Sequence, residues 1–149
     1  MENIRNNELS KNEINILKKK IWQELNYLKF DFSRVGTRQL SYCILLCIRH
    51  PGCITNLDKY CYSVLAKKYS VAPNTVKNNI FKVINDSYYK CEENLLKEYL
   101  NVNFLLKPTT KEIIVSICQY VFFQVIVWFI CNLKNRKSRS LLPRKKRRE

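Results

Sequence analysis

Two glycines and four prolines in 149 residues leave this chain few places to turn. Glycine supplies the positive-φ positions of tight turns and proline the rigid ones, so a chain short of both is biased toward helices. No stretch alternates apolar and polar residues for long enough to make a half-buried strand, and sheet is not expected. Two glycines also leave little room for a glycine-rich phosphate loop. Apolar residues make up 46% of the chain, enough to bury a core. The length suits one domain. The expected fold class is therefore all-α, a single domain.

Helical spacing locates the elements. Ser10-Lys11-Asn12-Glu13 is a capping box, in which Ser and Glu satisfy backbone donors that a helix start leaves open. Ile14, Leu17, Ile21, Leu25 and Leu28 then fall on one face. A connection ends near Gly36. A second helix is expected over about 37–49, with Leu40, Cys43, Ile44, Cys47 and Ile48 as its buried stripe and Pro51-Gly52 ending or bending it. A third is expected over about 60–69, with Leu65, Ala66 and Tyr69 inward, and a fourth over about 73–91. A small helix is expected over 92–100. Pro108-Thr109-Thr110 opens a last, very apolar helix over about 111–133. Residues 1–9 are expected as a flexible N-terminus and 134–149 as a basic tail.

The segment AKKYSVAPNTVKNNIFKVI, residues 66–84, has the rhythm of a helix, a tight turn and a second helix. In a helix-turn-helix the two helices cross closely, so the first needs a small residue, here Ala66, with Tyr69 facing the partner. Val71 is expected to plug the turn, and Pro73 suits a first helical turn, where its missing N–H costs nothing. Val76, Ile80, Val83 and Ile84 read as inward. Asn74, Thr75, Lys77, Asn78, Phe81, Lys82 and Asn85 are left outward. Asn can pair with adenine, Lys can reach guanine or phosphate, and Phe can meet a thymine methyl. Lys67 and Lys68 are placed to hold backbone phosphates. The competing reading is an ordinary helical hairpin with a solvated polar face.

From about Leu25 to Val121 the chain resembles the C-terminal DNA-binding domain of the stage-zero sporulation protein A family, the response regulator that starts spore formation in bacteria. Gly36, Leu40 and Ile44 match the family's glycine and second helix. LAKKYSV (65–71) resembles its first reading-motif helix, and Val76, Ile80 and Ile84 match the buried side of its recognition helix. KPTTKEII (107–114) is similar to the start of its last helix. The spacing holds without gaps from Gly36 through the recognition helix. The resemblance implies about six helices and a short DNA box as target, often as tandem copies; a homodimer on DNA is the other arrangement expected. It also implies that Asn74, Lys77, Asn78, Phe81 and Lys82 occupy slots that face DNA. The family's recognition helix is rich in Arg with a Glu, whereas residues 74–82 read NTVKNNIFK, and its usual Thr or Ser cap is Ala72. The role of the helix carries over, but not the target sequence. Only about 24 residues precede the match, too few for the family's receiver domain.

Charge supports a polyanionic partner. The net charge is +15, and the last sixteen residues, KNRKSRSLLPRKKRRE, hold +8 of it against +7 in the other 133. Arg144, Lys145, Lys146, Arg147 and Arg148 are expected to lie along DNA phosphates, adding affinity without specificity. No secretory signal opens the chain, so its seven cysteines are expected to be reduced thiols in a cytoplasmic, nucleoid-associated protein. Cys43, Cys47, His50 and Cys53 sit close in sequence, but Cys43 and Cys47 fall on a buried stripe and paired zinc knuckles are missing. No metal or cofactor is expected. Nor is an enzyme, since no nucleophile motif or paired His-Glu zinc helix is present.

Residues 113–131, IIVSICQYVFFQVIVWFIC, carry no charge over a length that could span a membrane. A span would put the basic tail outside, against the positive-inside tendency, so an extended core helix is preferred. Phe122, Phe123, Val127, Trp128 and Phe129 cannot all face one small core and predict a partner surface, self-association above all. The leading expectation is a sequence-specific DNA-binding transcription regulator acting on double-stranded DNA. Two alternatives stand beside it: a protein-interaction module that dimerises with or antagonises a full-length regulator, and a membrane-associated regulator.

Overall fold

The structure is a computed structural model that describes residues 9–90 and 108–141. It is all-α. Among the described residues there are five α-helices: α1 (Lys11–Tyr27), α2 (Val35–Arg49), α3 (Ser63–Tyr69), α4 (Pro73–Lys90) and α5 (Thr110–Leu141). A 3-10 turn over Pro51–Thr55 and a π turn over Asp58–Tyr62 link α2 to α3. The helix expected over 92–100 lies outside the described residues.

The capping box at Ser10 is formed. Glu13 N–H donates to Ser10 Oγ at 3.2 Å, and Ser10 N–H donates to Glu13 Oε2 at 2.8 Å. Leu17, Ile21 and Leu25 are buried beneath α1, with Leu28 just past its end. The chain then reverses through a Schellman motif. Lys29 takes the left-handed conformation at φ 66°, Lys29 N–H reaches Asn26 O, and Phe30 N–H reaches Leu25 O, both at 3.0 Å. A residue with a side chain occupies the position that usually goes to glycine. The cost is the close approach of Cβ to the next carbonyl.

Leu40, Cys43 and Ile44 of α2 are fully buried, and this helix packs against α1, α4 and α5. Pro51 lacks the N–H that α2 would need to continue, and the 3-10 turn begins there. α5 joins the core through Ile113, Ile114, Ile117, Cys118 and Val121. It has 32 residues, so it is about 48 Å long at about 1.5 Å per residue. It runs past residue 133 to Leu141, and from Phe122 onward most of its described side chains are exposed. The segment Thr110–Lys134 is long and apolar enough to cross a membrane by length and composition.

Candidate nucleic-acid interface

The turn between α3 and α4 is a second Schellman motif. Ser70 adopts the left-handed conformation at φ 55°, Ser70 N–H points to Lys67 O at 3.4 Å, and Val71 N–H donates to Ala66 O at 3.0 Å. These backbone bonds close the turn, so the expected plug is not needed there. Val71 is 39% exposed and does not fill the crossing. Ala66 does the work of close approach, buried at 4%. Tyr69 is half-buried, its ring edge-on to Tyr42 of α2 with centroids 6.5 Å apart.

α4 starts without a side-chain cap. Ala72 offers only its carbonyl, which accepts from Thr75 N–H at 3.0 Å. Inward, Val76 and Ile80 are fully buried and Val83 and Ile84 nearly so. Each such side chain contributes about 1.5–3 kcal/mol of transfer free energy. Gly36 sits in the first turn of α2 directly beneath α4. A Cβ there would overlap the Asn79 carbonyl and come within 2.9 Å of Val83 Cγ1, so only glycine lets the two helix backbones approach this closely. Asn79 Nδ2 donates to Gln39 Oε1 at 3.2 Å, Arg34 pairs with Asp86, and Ser87 Oγ donates to Leu28 O at 3.1 Å. The inner side of α4 is thus held along most of its length.

Outward, Asn74, Thr75, Lys77, Asn78, Phe81 and Lys82 are all exposed. Positions 74, 77, 78, 81 and 82 recur at helical spacing and form one strip along α4. Asn85, expected on that strip, is half-buried at its margin. Lys67 and Lys68 are exposed in the last turn of α3, and Lys68 lines a groove between α1, α2 and α3 rather than the strip of α4. Lys68 Nζ stands 3.5 Å from the centroid of the Tyr42 ring. This contact lowers the Tyr42 phenol below its ordinary pKa, chiefly through hydrogen bonding with Lys68. Lys77 Nζ lies 3.6 Å from Asp58 Oδ1 in the π turn, an exposed pair worth less than about 1 kcal/mol. Asp58 is a residue that sequence spacing does not single out, because the partners lie on different elements. Arg144, Lys145, Lys146, Arg147 and Arg148 lie outside the described residues.

The cysteine grouping differs from the one sequence proximity suggests. Cys43, Cys47 and Cys61 are buried, with their sulfur atoms all within 4.8 Å of one another, while His50 is exposed on the surface. Hydrogen bonding to Cys47 and Cys61, together with burial, pushes the Cys43 thiol well above its usual range. Cys61 comes from the π turn, fourteen residues along the chain from Cys47.

A family model described as the sporulation initiation factor Spo0A C terminal matches residues 21–121, more than half of the chain. The matched span contains α1 from its middle, all of α2, α3 and α4, and the first, core-packed part of α5 as far as Val121. No curated protein and no solved structure matches the chain.

Proposed function

The chain belongs to the family of the Spo0A C-terminal domain, the DNA-binding effector domain of a sporulation regulator, and from that premise we propose that it reads a specific double-stranded DNA sequence with α4 laid in the major groove. One observation carries this reading: a continuous strip of Asn, Lys and Phe side chains on a helix whose opposite side is fixed to the core. Asn74, Asn78 and Lys77 are the base-edge donors and acceptors, with Thr75, Phe81 and Lys82 completing the strip. Lys67 and Lys68 anchor phosphates, and the arginine- and lysine-rich segment 144–148 adds sequence-independent attraction. Such a protein works as a transcription regulator, in the cytoplasm at the nucleoid.

α5 supports a homodimer. Phe123, Ile126, Ile130 and Leu133 are exposed and follow one another at spacings of three, four and three, a short self-complementary seam of the kind two copies share. A membrane span is less compatible with this fold. Ile113, Ile114, Ile117 and Val121 are fully buried in the core. The part beyond them, 122–133, is only about 18 Å long, against about 30 Å of bilayer hydrocarbon.

The test is selection of bound sequences from a random duplex library by the whole chain at near-physiological salt. A short recovered motif is expected. Lys77→Ala or Asn78→Ala is expected to change that motif, whereas removal of residues 142–149 weakens all sequences equally. Retention of DNA with no motif would instead favour an interaction module that pairs with another regulator through α5. The absence of arginine from the outward strip of α4 and the exposed apolar surface of α5 are the observations behind that second reading.

A further inference from the structure

We propose that Cys43, Cys47 and Cys61, with Cys53 as the fourth donor, form a tetrathiolate site for one zinc-class divalent ion that ties α2 to the turns leading into α3. This inference does not depend on DNA reading.

The four residues come from three elements. Cys43 and Cys47 stand one turn apart on α2, Cys53 lies in the 3-10 turn and Cys61 in the π turn. Cys47 Sγ and Cys61 Sγ are 3.6 Å apart. A tetrahedral zinc ion with Zn–S bonds of about 2.3 Å sets its sulfur atoms about 3.8 Å from one another. The pair already stands at that separation, and the three sulfurs within 4.8 Å need at most about 1 Å of closure. Cys53 is half-buried in the 3-10 turn, which packs against both α2 and the π turn, and its sulfur has to move in from outside the three-thiol group to complete the site.

A second observation comes from the backbone. π turns are rare and are found frequently at functional sites. This one spans Asp58–Tyr62, with Ser63 N–H returning to Asp58 O, and it delivers the fully buried Cys61 to the thiols of α2. Inert apolar filling needs no such clustering of thiols, and a disulfide needs only two of them. Binding is a simple exchange. Each S–H bond breaks, its proton passes to solvent, and the sulfur lone pair enters the metal coordination sphere. Four thiols release four protons to solvent as four thiolates bind one ion, and nothing is oxidised or reduced.

The experiment uses the whole chain, reduced and stripped with a chelator, then titrated with Co²⁺ as a spectroscopic probe. The expected result is a thiolate-to-cobalt charge-transfer band with tetrahedral d–d absorption, saturating at one ion per chain and bleached by Zn²⁺. Cys47→Ala and Cys61→Ala are expected to lose the band, Cys53→Ser to weaken the binding, and Cys118→Ala and Cys131→Ala to keep it unchanged. Helical circular dichroism identifies any variant that fails to fold. In that event Cys53→Ser, at a half-exposed position, decides, together with protection of the wild-type thiols from alkylation by Zn²⁺. Absence of the charge-transfer band, its survival in folded Cys61→Ala, or a freshly isolated wild-type chain carrying a Cys47–Cys61 disulfide overturns the proposal.

Discussion

Helices α4 and α5 have the same inward chemistry and opposite outward chemistry. Val76, Ile80, Val83 and Ile84 on α4 and Ile113, Ile114, Ile117 and Val121 on α5 are buried to a similar degree. Away from the core, α4 presents Asn, Thr, Lys and Phe, whereas α5 presents Phe122, Phe123, Ile126, Val127, Ile130 and Leu133. The inward sides hold the fold together through the same burial energy. The outward sides differ in what they ask of a partner. Solvated Asn and Lys side chains cost nothing while free and offer directional hydrogen bonds to base edges. Apolar side chains at the surface are unfavourable until something covers them, and they carry little directional information.

The inward equivalence is the first thing to challenge. Ile80→Ala and Ile117→Ala are each expected to cost about 2–5 kcal/mol in urea unfolding, because both leave a cavity in one shared core. A large loss in one and a negligible loss in the other would mean that the two helices do not belong to the same cooperative unit. Gly36→Ala comes next, at about 1–3 kcal/mol, since the added methyl must push α4 away from α2. The shift should also reduce DNA affinity, although residue 36 is itself buried under α4.

The outward difference is sharpened by two substitutions that leave stability within about 0.5 kcal/mol. Asn78→Ala should change base preference by about 1–3 kcal/mol at one position of the recovered motif and leave the oligomeric state alone. Ile130→Lys should do the reverse, shifting the chain toward monomer in sedimentation while keeping the motif. If Ile130→Lys abolishes the motif as well, DNA reading requires the dimer and the two faces are not independent. The smallest effects are gains. Ala72→Ser supplies the missing cap of α4 and should add about 1 kcal/mol. Ser70→Gly relieves a left-handed residue and should add about 1 kcal/mol or less, both read as increases in Tm.

Much of this was legible in the residues. The box at Ser10 and Glu13, the stripe of Leu17, Ile21 and Leu25, the inward set of α4 and the outward strip beside it all follow from spacings of three and four. Those spacings act within a turn or two of one helix. The limits show at residues whose roles depend on a neighbour far along the chain. Val71 fits a plug by its position after α3, yet backbone bonds to Ala66 and Lys67 close that turn and leave its side chain at the surface. Gly36 reads as the end of a connection, but its place inside α2 is a requirement of α4. Lys77 is identifiable as an outward residue of α4, while its pairing with Asp58 is not.

By itself, then, the sequence determined an all-helical chain, the residues each helix turns inward, the polar strip of α4 and the apolar surface of α5. All of these are consequences of local periodicity and charge. Only the tertiary structure decided which helices touch and at what register. It set α2 so close to α4 that residue 36 must be glycine, and it brought Cys61 rather than His50 to Cys43 and Cys47. Those meetings depend on how side chains from separate helices fill a common volume, and helical spacing within one segment carries no information about that.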